Sequence, residues 1–325
     1  MSEVLLSAEH IKKWFPVHRL GRPVTYVKAV NDVSLEIRRG ETLGIVGESG
    51  CGKTTLGRAM IRLSRVTDGR IVFDGQDITH MSEKELRPLR KHMQIIFQDP
   101  YSNLNPRMTV GDIVSEPFVF QNLYSKQERV SRAKELMLLC GLDPLYIRRY
   151  PHEFSGGQRQ RVGIARALAL NPAFIVCDEP VSALDVSVQS QVINLLMDLQ
   201  QKMGVAYAFI SHNLNVVYHM SDRIAVMYLG NVVELADREE LYRHTAHPYT
   251  MALLGAIPKV SFSGEDKIQS SITGDLPSPM DLPSGCVFHT RCPHACERCS
   301  REAPALREIA PGHQTACHFA DRFAN

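Results

Sequence analysis

Gly47-Glu48-Ser49-Gly50-Cys51-Gly52-Lys53-Thr54 is the stretch on which the fold turns. It satisfies G-x-x-x-x-G-K-[ST], the pattern of a phosphate-binding loop. Its glycines let the backbone curl so that successive N–H groups and a following helix N-terminus face an anion. Lys53 adds a point charge for terminal phosphates, and Thr54, followed by Thr55, offers a hydroxyl for Mg²⁺.

The flanks supply the context that this loop needs. Upstream, Val33, Leu35 and Ile37 alternate with polar residues, Arg39-Gly40 makes a turn, and Thr42 to Val46 reads as a short apolar strand. Downstream, Leu56, Ala59, Met60 and Leu63 recur at helical spacing and predict a helix from Thr54 to Leu63. Strand, Gly-rich loop and helix are therefore contiguous.

Further along, the Pro- and Asn-rich stretch Asp99 to Arg107 gives way to polar helical segments around Ser125 to Cys140 and Gln158 to Leu170. These read as a helical insert, about 99–169. Two compact apolar strands follow, Ala173 to Cys177 and Ala206 to Ile210, separated by the amphipathic stretch Val188 to Met203. That alternation predicts an α/β fold with a parallel sheet. Lys259 to Gly285 is rich in Ser, Pro and Gly and reads as a linker or extended arm.

The strand Phe174-Ile175-Val176-Cys177 ends in Asp178-Glu179-Pro180. Two carboxylates thus stand at the C-terminal edge of a sheet, where α/β ligands bind. Adjacent strand side chains diverge, so Asp178 suits the Mg²⁺ shell while Glu179 suits a water attacking a terminal phosphate. Ser155-Gly156-Gly157-Gln158 opens a helix with a hydroxyl and two glycine N–H groups, a second anion site or merely a cap.

Composition narrows the classes. With 325 residues, 44% of them hydrophobic, the chain can bury a sizeable core. A net charge of +2, from 37 basic and 35 acidic residues, leaves no footprint for phosphate-backbone binding, so nucleic acid is not an expected partner. No secretion signal opens the chain, and no apolar run approaches the roughly 20 residues of a membrane span.

A phosphate loop, an S-G-G-Q turn and an acidic strand end, in this order, resemble the ATP-binding cassette (ABC) family, with Phe154 in place of the signature leucine. Gln98 resembles the Q-loop glutamine, Ser182-Ala183-Leu184-Asp185 the D-loop, and His212 the switch histidine. Tyr26 is similar in position to the adenine-stacking aromatic, with simple packing as the alternative. The resemblance implies a P-loop NTPase core with an antiparallel β subdomain, a helical signature subdomain and a C-terminal cysteine-rich extension. It assigns catalysis to Glu179, His212 and Gln98, and Mg²⁺ to Thr54, Gln98 and Asp178. Nucleotide contacts fall to Tyr26, Gly47, Ser49, Gly50, Cys51, Gly52, Lys53, Thr54, Thr55, Ser155, Gly156, Gly157, Gln158 and Asp185.

Three further stretches resemble the dipeptide and oligopeptide importer subgroup, which includes importers of nickel, heme and other small solutes. They are Asp99-Pro100-Tyr101-Ser102-Asn103-Leu104-Asn105-Pro106-Arg107, His247-Pro248-Tyr249-Thr250 through Pro258, and Pro277-Ser278-Pro279 running into Gly285-Cys286. The opening, Leu5 to Val17 with Tyr26-Val27-Lys28-Ala29-Val30, looks like the F-type subunit of a dipeptide permease. This implies a cassette domain at 1–258 and an extension at 259–325. It also implies head-to-tail pairing with a D-type paralogue, two membrane permease subunits, an extracytoplasmic solute-binding protein, and a peripheral place on the cytoplasmic face of the inner membrane. The segment after Gln98 is the expected coupling surface. Rival classes are a non-transport cassette ATPase and a redox or metal protein centred on the tail.

Five of the eight cysteines crowd the tail. Cys286, Cys292, Cys299 and Cys317 give C-x₅-C-x₆-C-x₁₇-C, with Cys296 as an extra thiol. Four thiolates suit Zn²⁺ or a [4Fe–4S] cluster, and the spacing does not choose. His289, His294 and His318 keep mixed zinc ligation open; reduced thiols or a disulfide are the plainer alternative. The family resemblance implies iron–sulfur.

Overall fold

The computed structural model describes residues 3–18, 23–99, 101–256 and 274–323. Pro100, Pro258 and positions 259–273 of the predicted linker lie outside the described residues.

In chain order the strands are β1 (Val4–Val17), β2 (Thr25–Arg38), β3 (Thr42–Val46), β4 (Asp68–Phe73), β5 (Gln76–Asp77), β6 (Met93–Ile96), β7 (Phe174–Asp178), β8 (Ala206–Ile210), β9 (Arg223–Tyr228), β10 (Asn231–Asp237), β11 (Arg307–Ala310) and β12 (His313–Thr315). The helices are α1 (Lys53–Met60), α2 (Glu83–Leu86), α3 (Val110–Phe120), α4 (Lys126–Leu139), α5 (Gly156–Leu168), α6 (Val186–Met203), α7 (Leu214–Met220), α8 (Arg238–Arg243), α9 (Pro248–Gly255), α10 (Glu297–Arg301) and α11 (Ala320–Phe323). Among the described residues no helix is long and apolar enough to cross a membrane.

The chain divides into two compact units that interleave in sequence. The first comprises 1–3, 37–41 and 80–210; the second comprises 4–36, 42–79 and 211–325.

In the second unit, one sheet has the order β2-β1-β4-β5, with β1 and β4 antiparallel. Leu6 lies opposite Phe73 and Ala8 opposite Ile71, and all four are buried, so the alternation sets one apolar face of this sheet. The remaining strands are built on β3, whose five residues are all buried. It runs parallel to β9, β9 is antiparallel to β10, and the tail strands β12 and β11 extend the ladder antiparallel from β10. A strand buried along its whole length reads as a continuous apolar run, which is why Thr42–Val46 was visible in sequence. Helix α1 leaves the loop after β3 and buries Leu56, Ala59 and Met60 of the expected stripe, but it ends at Met60, short of the expected Leu63, which is 50% exposed beyond it.

In the first unit, β6, β7 and β8 are parallel, with Ile96 opposite Cys177 and Cys177 opposite Phe209. Helix α6 buries Val192, Ile193, Leu196 and Leu199 and stops at Gly204, whose φ of 67° closes the last turn. Three helices form the helical part. Of these, α4 starts in a capping box between Ser125 and Glu128, and α5 starts in another between Ser155 and Gln158. The third, α3, contains Pro117 and buries Val110, Ile113, Val114 and Phe118; it falls within the expected helical insert, about 99–169, though no periodicity marks it as a separate helix.

Candidate functional site

The phosphate loop and Lys53, with Tyr26, His212 and the tail cysteines, belong to the second unit. Gln98, Ser155–Gln158, Asp178, Glu179 and Asp185 belong to the first.

Two loop positions admit only glycine. Gly47 has φ 153°, and a Cβ there would fall 2.1 Å from Met227 O; Gly52 has φ 105°, and a Cβ would fall 1.9 Å from Ala29 O. Lys53 is 4% exposed and its ammonium donates to Gly47 O at 2.7 Å and Glu48 O at 2.9 Å, which holds it over the curl of the loop. The Cys51 thiol lies 3.9 Å from Lys53 Nζ; burial pushes its pKa up, and the lysine charge pulls against that. Thr54 and Thr55 are half-buried in the first turn of α1. A glycine cradle closed by a lysine fits the phosphates of Mg²⁺-ATP.

At the end of β7 the chain turns sharply. Asp178 is buried in the strand, at 1% exposure, whereas Glu179 takes φ 46° and leaves it. A carboxylate in the left-handed region is a strained arrangement of the kind that functional sites keep. Gln98 Nε2 donates to Glu179 Oε2 at 3.0 Å, so the structure joins two of the three predicted catalytic residues. Ser182 Oγ donates to Glu179 O at 3.1 Å, anchoring the turn that leads to Asp185, which precedes the first turn of α6 without a side-chain cap bond.

Ser155 caps α5 with its hydroxyl accepting from Gln158 N, while Ser155 N donates to Gln158 Oε1 at 3.0 Å. Gly157 has no room for a Cβ, which would meet Val188 Cγ1 at 2.4 Å, and Phe154 fills the leucine position at 4% exposure. The segment after Gln98 is tied to this helix: Arg166 donates to Asn103 O at 2.9 Å and the Arg159 guanidinium lies 4.2 Å over the Tyr101 ring. Beside it an open groove of about 340 Å³ is lined by residues that include Gln94, Phe97, Asn103, Glu116, Pro117 and Phe120. Phe120 is 66% exposed.

His212 is exposed just beyond β8, where Asn213 caps α7. Tyr26 is 44% exposed on β2, with Trp14 at 6.3 Å between ring centroids. Phe15 on β1 is as exposed, at 41%, a second aromatic that the sequence reading passed over.

All eight cysteines are free thiols. Cys286, Cys292, Cys299 and Cys317 line one small cavity, with about 10 Å³ of free space, together with His289 and His318. Burial pushes the Cys286 and Cys317 thiols up to about 11 and raises those of Cys292 and Cys299. Cys286 N donates to Cys299 O at 2.7 Å, a close approach that Gly285 permits, since a Cβ there would fall 2.4 Å from the same oxygen. Cys296 is exposed, with its sulfur 3.8 Å from that of Cys299. Among the described residues no three His, Cys, Asp or Glu side chains are drawn together as ligands of one metal ion.

Sequence reasoning missed two residues that hold the phosphate loop. Tyr249 donates its hydroxyl to Glu48 N at 2.9 Å, and Arg291 of the tail contacts the Glu48 carboxylate at 3.0 and 3.1 Å. Glu48 and Arg291 are 243 positions apart, and no local pattern links them.

A phosphate loop after a fully buried strand, a strained glutamate at the end of a parallel strand and a capped S-G-G-Q helix define an ATPase of the ABC cassette type. Residues 30–182 match the ABC transporter family, and residues 233–299 match the oligopeptide/dipeptide transporter C-terminal region. The chain is 53% identical over 321 residues to the oligopeptide transport ATP-binding protein AppF of Bacillus subtilis (strain 168), covering 98% of each. It is 50% identical over 320 residues to the probable peptide ABC transporter ATP-binding protein y4tS of Sinorhizobium fredii, covering 98% of this chain and 90% of that one. Among solved structures, the dimeric ATP-binding cassette MJ0796 in a post-hydrolysis state with ADP and Pi superposes with a TM-score of 0.64 at 30% identity, over 72% of this chain and 99% of that one. The chain belongs to the ATP-binding proteins of ABC transporters, in the group that carries the oligopeptide/dipeptide transporter C-terminal region. Membership brings ATP and Mg²⁺ as its cofactors.

Proposed function

We propose that this chain hydrolyses Mg²⁺-ATP to energise import of short peptides through a membrane permease. The observation that carries the enzymatic part is the Gln98–Glu179 hydrogen bond, which aims a carboxylate from a strained strand end. The peptide part rests on the C-terminal region and on relatives described as oligopeptide or peptide transport ATP-binding proteins.

In this reading the loop from Gly47 to Thr55 holds the phosphates, Lys53 neutralises the terminal ones, and Thr54, Asp178 and Gln98 serve Mg²⁺. Glu179 polarises the attacking water, and His212 stabilises the charge that develops on the γ-phosphate. Tyr26 stacks on the adenine. Ser155 to Gln158 and Asp185 complete the site of a facing ATPase subunit, a D-type paralogue, so hydrolysis requires the dimer. The division at 258/259 separates cassette from extension. The groove beside Phe120, an exposed aromatic in a cleft of mixed polar and apolar lining, receives a permease helix at the cytoplasmic face of the membrane.

For the tail we infer a [4Fe–4S] cluster held by Cys286, Cys292, Cys299 and Cys317. This reading rests on the family resemblance and on the four thiols lining one small cavity, with zinc as the alternative metal. Bound there, such a group would cross-link the tail structurally.

Glu179→Gln tests the main reading. The amide keeps the hydrogen bond to Gln98 but loses the base, so ATP binding should persist while turnover in the complex with partner ATPase and permease falls by about 10²–10⁴. Near-normal steady-state hydrolysis would exclude the role, and the same binding measurement on Tyr26→Ala checks the stacking.

A further inference from the structure

Glu48 is the second residue of the phosphate loop, and its carboxylate is half-buried, 26% exposed. An anion at that position is an electrostatic liability: phosphates entering the loop approach a fixed negative charge in a partly desolvated setting. The structure offsets it from the tail. Arg291 is 9% exposed, and a single terminal nitrogen, Nη1, reaches Glu48 Oε2 at 3.0 Å, Oε1 at 3.1 Å and Tyr228 OH at 3.4 Å. Its Nε is buried with no hydrogen-bond partner. An arginine serving only as a cross-link would satisfy more of its fork; this one gives its contacts to the carboxylate and the adjacent phenol.

Arg291 cannot drift from this place. It ends the short turn His289–Arg291, which is bracketed by Cys286 and Cys292: His289 N donates to Cys286 O at 3.0 Å and Cys292 N to His289 O at 3.4 Å. Phe288, immediately before the turn, packs against the rings of Tyr228 and Tyr249 at 5.2 and 5.4 Å. Tyr249 in turn holds the backbone of Glu48 at 2.9 Å. One loop residue is thus gripped at its N–H by α9 and at its carboxylate by the tail.

We propose that Arg291 is a positioning residue of the nucleotide site, supplied by the C-terminal extension, which neutralises and orients Glu48 so that the phosphate loop accepts polyphosphate. The proposal rests on the nucleotide reading above and adds a specific dependence of that site on the tail. Its signature is electrostatic. Removing Arg291 should weaken nucleotide binding because Glu48 is left charged, and removing the Glu48 charge as well should restore it.

The test is equilibrium binding of MgADP and MgATP to the purified full chain at low and high salt, with thermal unfolding as a fold control. Arg291→Ala should weaken MgATP by about tenfold, the scale of about 1.4 kcal/mol for a partly buried pair. The loss should shrink as salt screens the exposed carboxylate. Arg291→Lys should retain part of the affinity, and Glu48→Gln with Arg291→Ala should bind several-fold better than Arg291→Ala alone. Unchanged affinity in Arg291→Ala, or equal and salt-independent weakness in Arg291→Ala and the double variant, would overturn the proposal. Absence of binding in the parent chain would instead overturn the nucleotide reading on which it stands.

Discussion

Phe288→Ala probes the junction between tail and phosphate loop most directly. Phe288 is 1% exposed and is surrounded by Tyr228 (5.2 Å, 85° between planes), Tyr249 (5.4 Å) and His247 (5.8 Å). Truncating a fully enclosed Phe costs about 3–5 kcal/mol, of which the edge-on pair with Tyr228 accounts for about 0.5–1.5 kcal/mol. Tight neighbours resist collapse into the space, so the upper half of that range applies, about 4 kcal/mol. For a folding unit of roughly 150–250 residues this lowers the unfolding midpoint by about 8–16 °C. The assay is urea and thermal unfolding followed by the fluorescence of Trp14, the single tryptophan, which belongs to the same unit as Phe288. Phe288→Leu, close in volume, should lose less than about 1.5 kcal/mol. Nucleotide affinity should fall alongside stability in the Ala variant, because Tyr249, which holds Glu48 N, loses one of the two rings packed on it. A loss below about 1 kcal/mol with an unchanged Trp14 transition would refute the idea that the tail is bonded into the same cooperative unit as the loop.

Two other perturbations test the tail by different physics. His313 on β12 is 1% exposed and bridges Glu234 at 2.9 Å and Glu240 at 3.4 Å. Burial opposes its charge, but the two carboxylates outweigh burial and raise its pKa above the usual 6.5. The pair's contribution is therefore complete below about pH 6.5 and lost as pH rises through the higher folded value. The urea midpoint of the parent should fall between about pH 6 and about pH 8.5 more than that of His313→Gln, and parallel pH profiles would dismiss the pair. Anaerobic purification followed by iron, sulfide and zinc analysis should find about four irons per chain, lost in Cys286→Ser and retained in Cys296→Ser. Stoichiometric zinc without sulfide would refute the cluster, and a metal-free folded chain would remove it.

What could be read in sequence was what local chemistry dictates. The phosphate loop was legible because glycine, lysine and threonine act on one ligand within eight consecutive residues, and β3 and β8 because strands buried throughout leave unbroken apolar runs. The S-G-G-Q turn was legible as a cap, and a capping box is what the backbone forms there. Helix α3 was not. Pro117 lies inside it, where sequence argues against a helix, and its mostly apolar composition hides the periodicity on which a helix assignment depends. The Glu179 strain was also invisible, since a positive φ at a non-glycine residue leaves no compositional trace.

The least legible feature is the dependence of the loop on the far end of the chain. From sequence, Glu48 looks like an interchangeable position of the motif and Arg291 like one more cation in a cysteine-rich tail. Each has a cost when taken alone: the carboxylate opposes an incoming phosphate, and a guanidinium at 9% exposure lacks the water it needs. Together each removes the other's cost, because the half-buried pair is bonded at 3.0 Å and fixed by Tyr228, Tyr249 and Phe288. Such a pair has no period and no spacing, since its partners meet only after β9, α9 and the tail turn have packed. A cysteine-bound cluster that rigidifies Cys286 and Cys292 would then steady the intervening Arg291, and through it the charge that the phosphate loop presents to ATP.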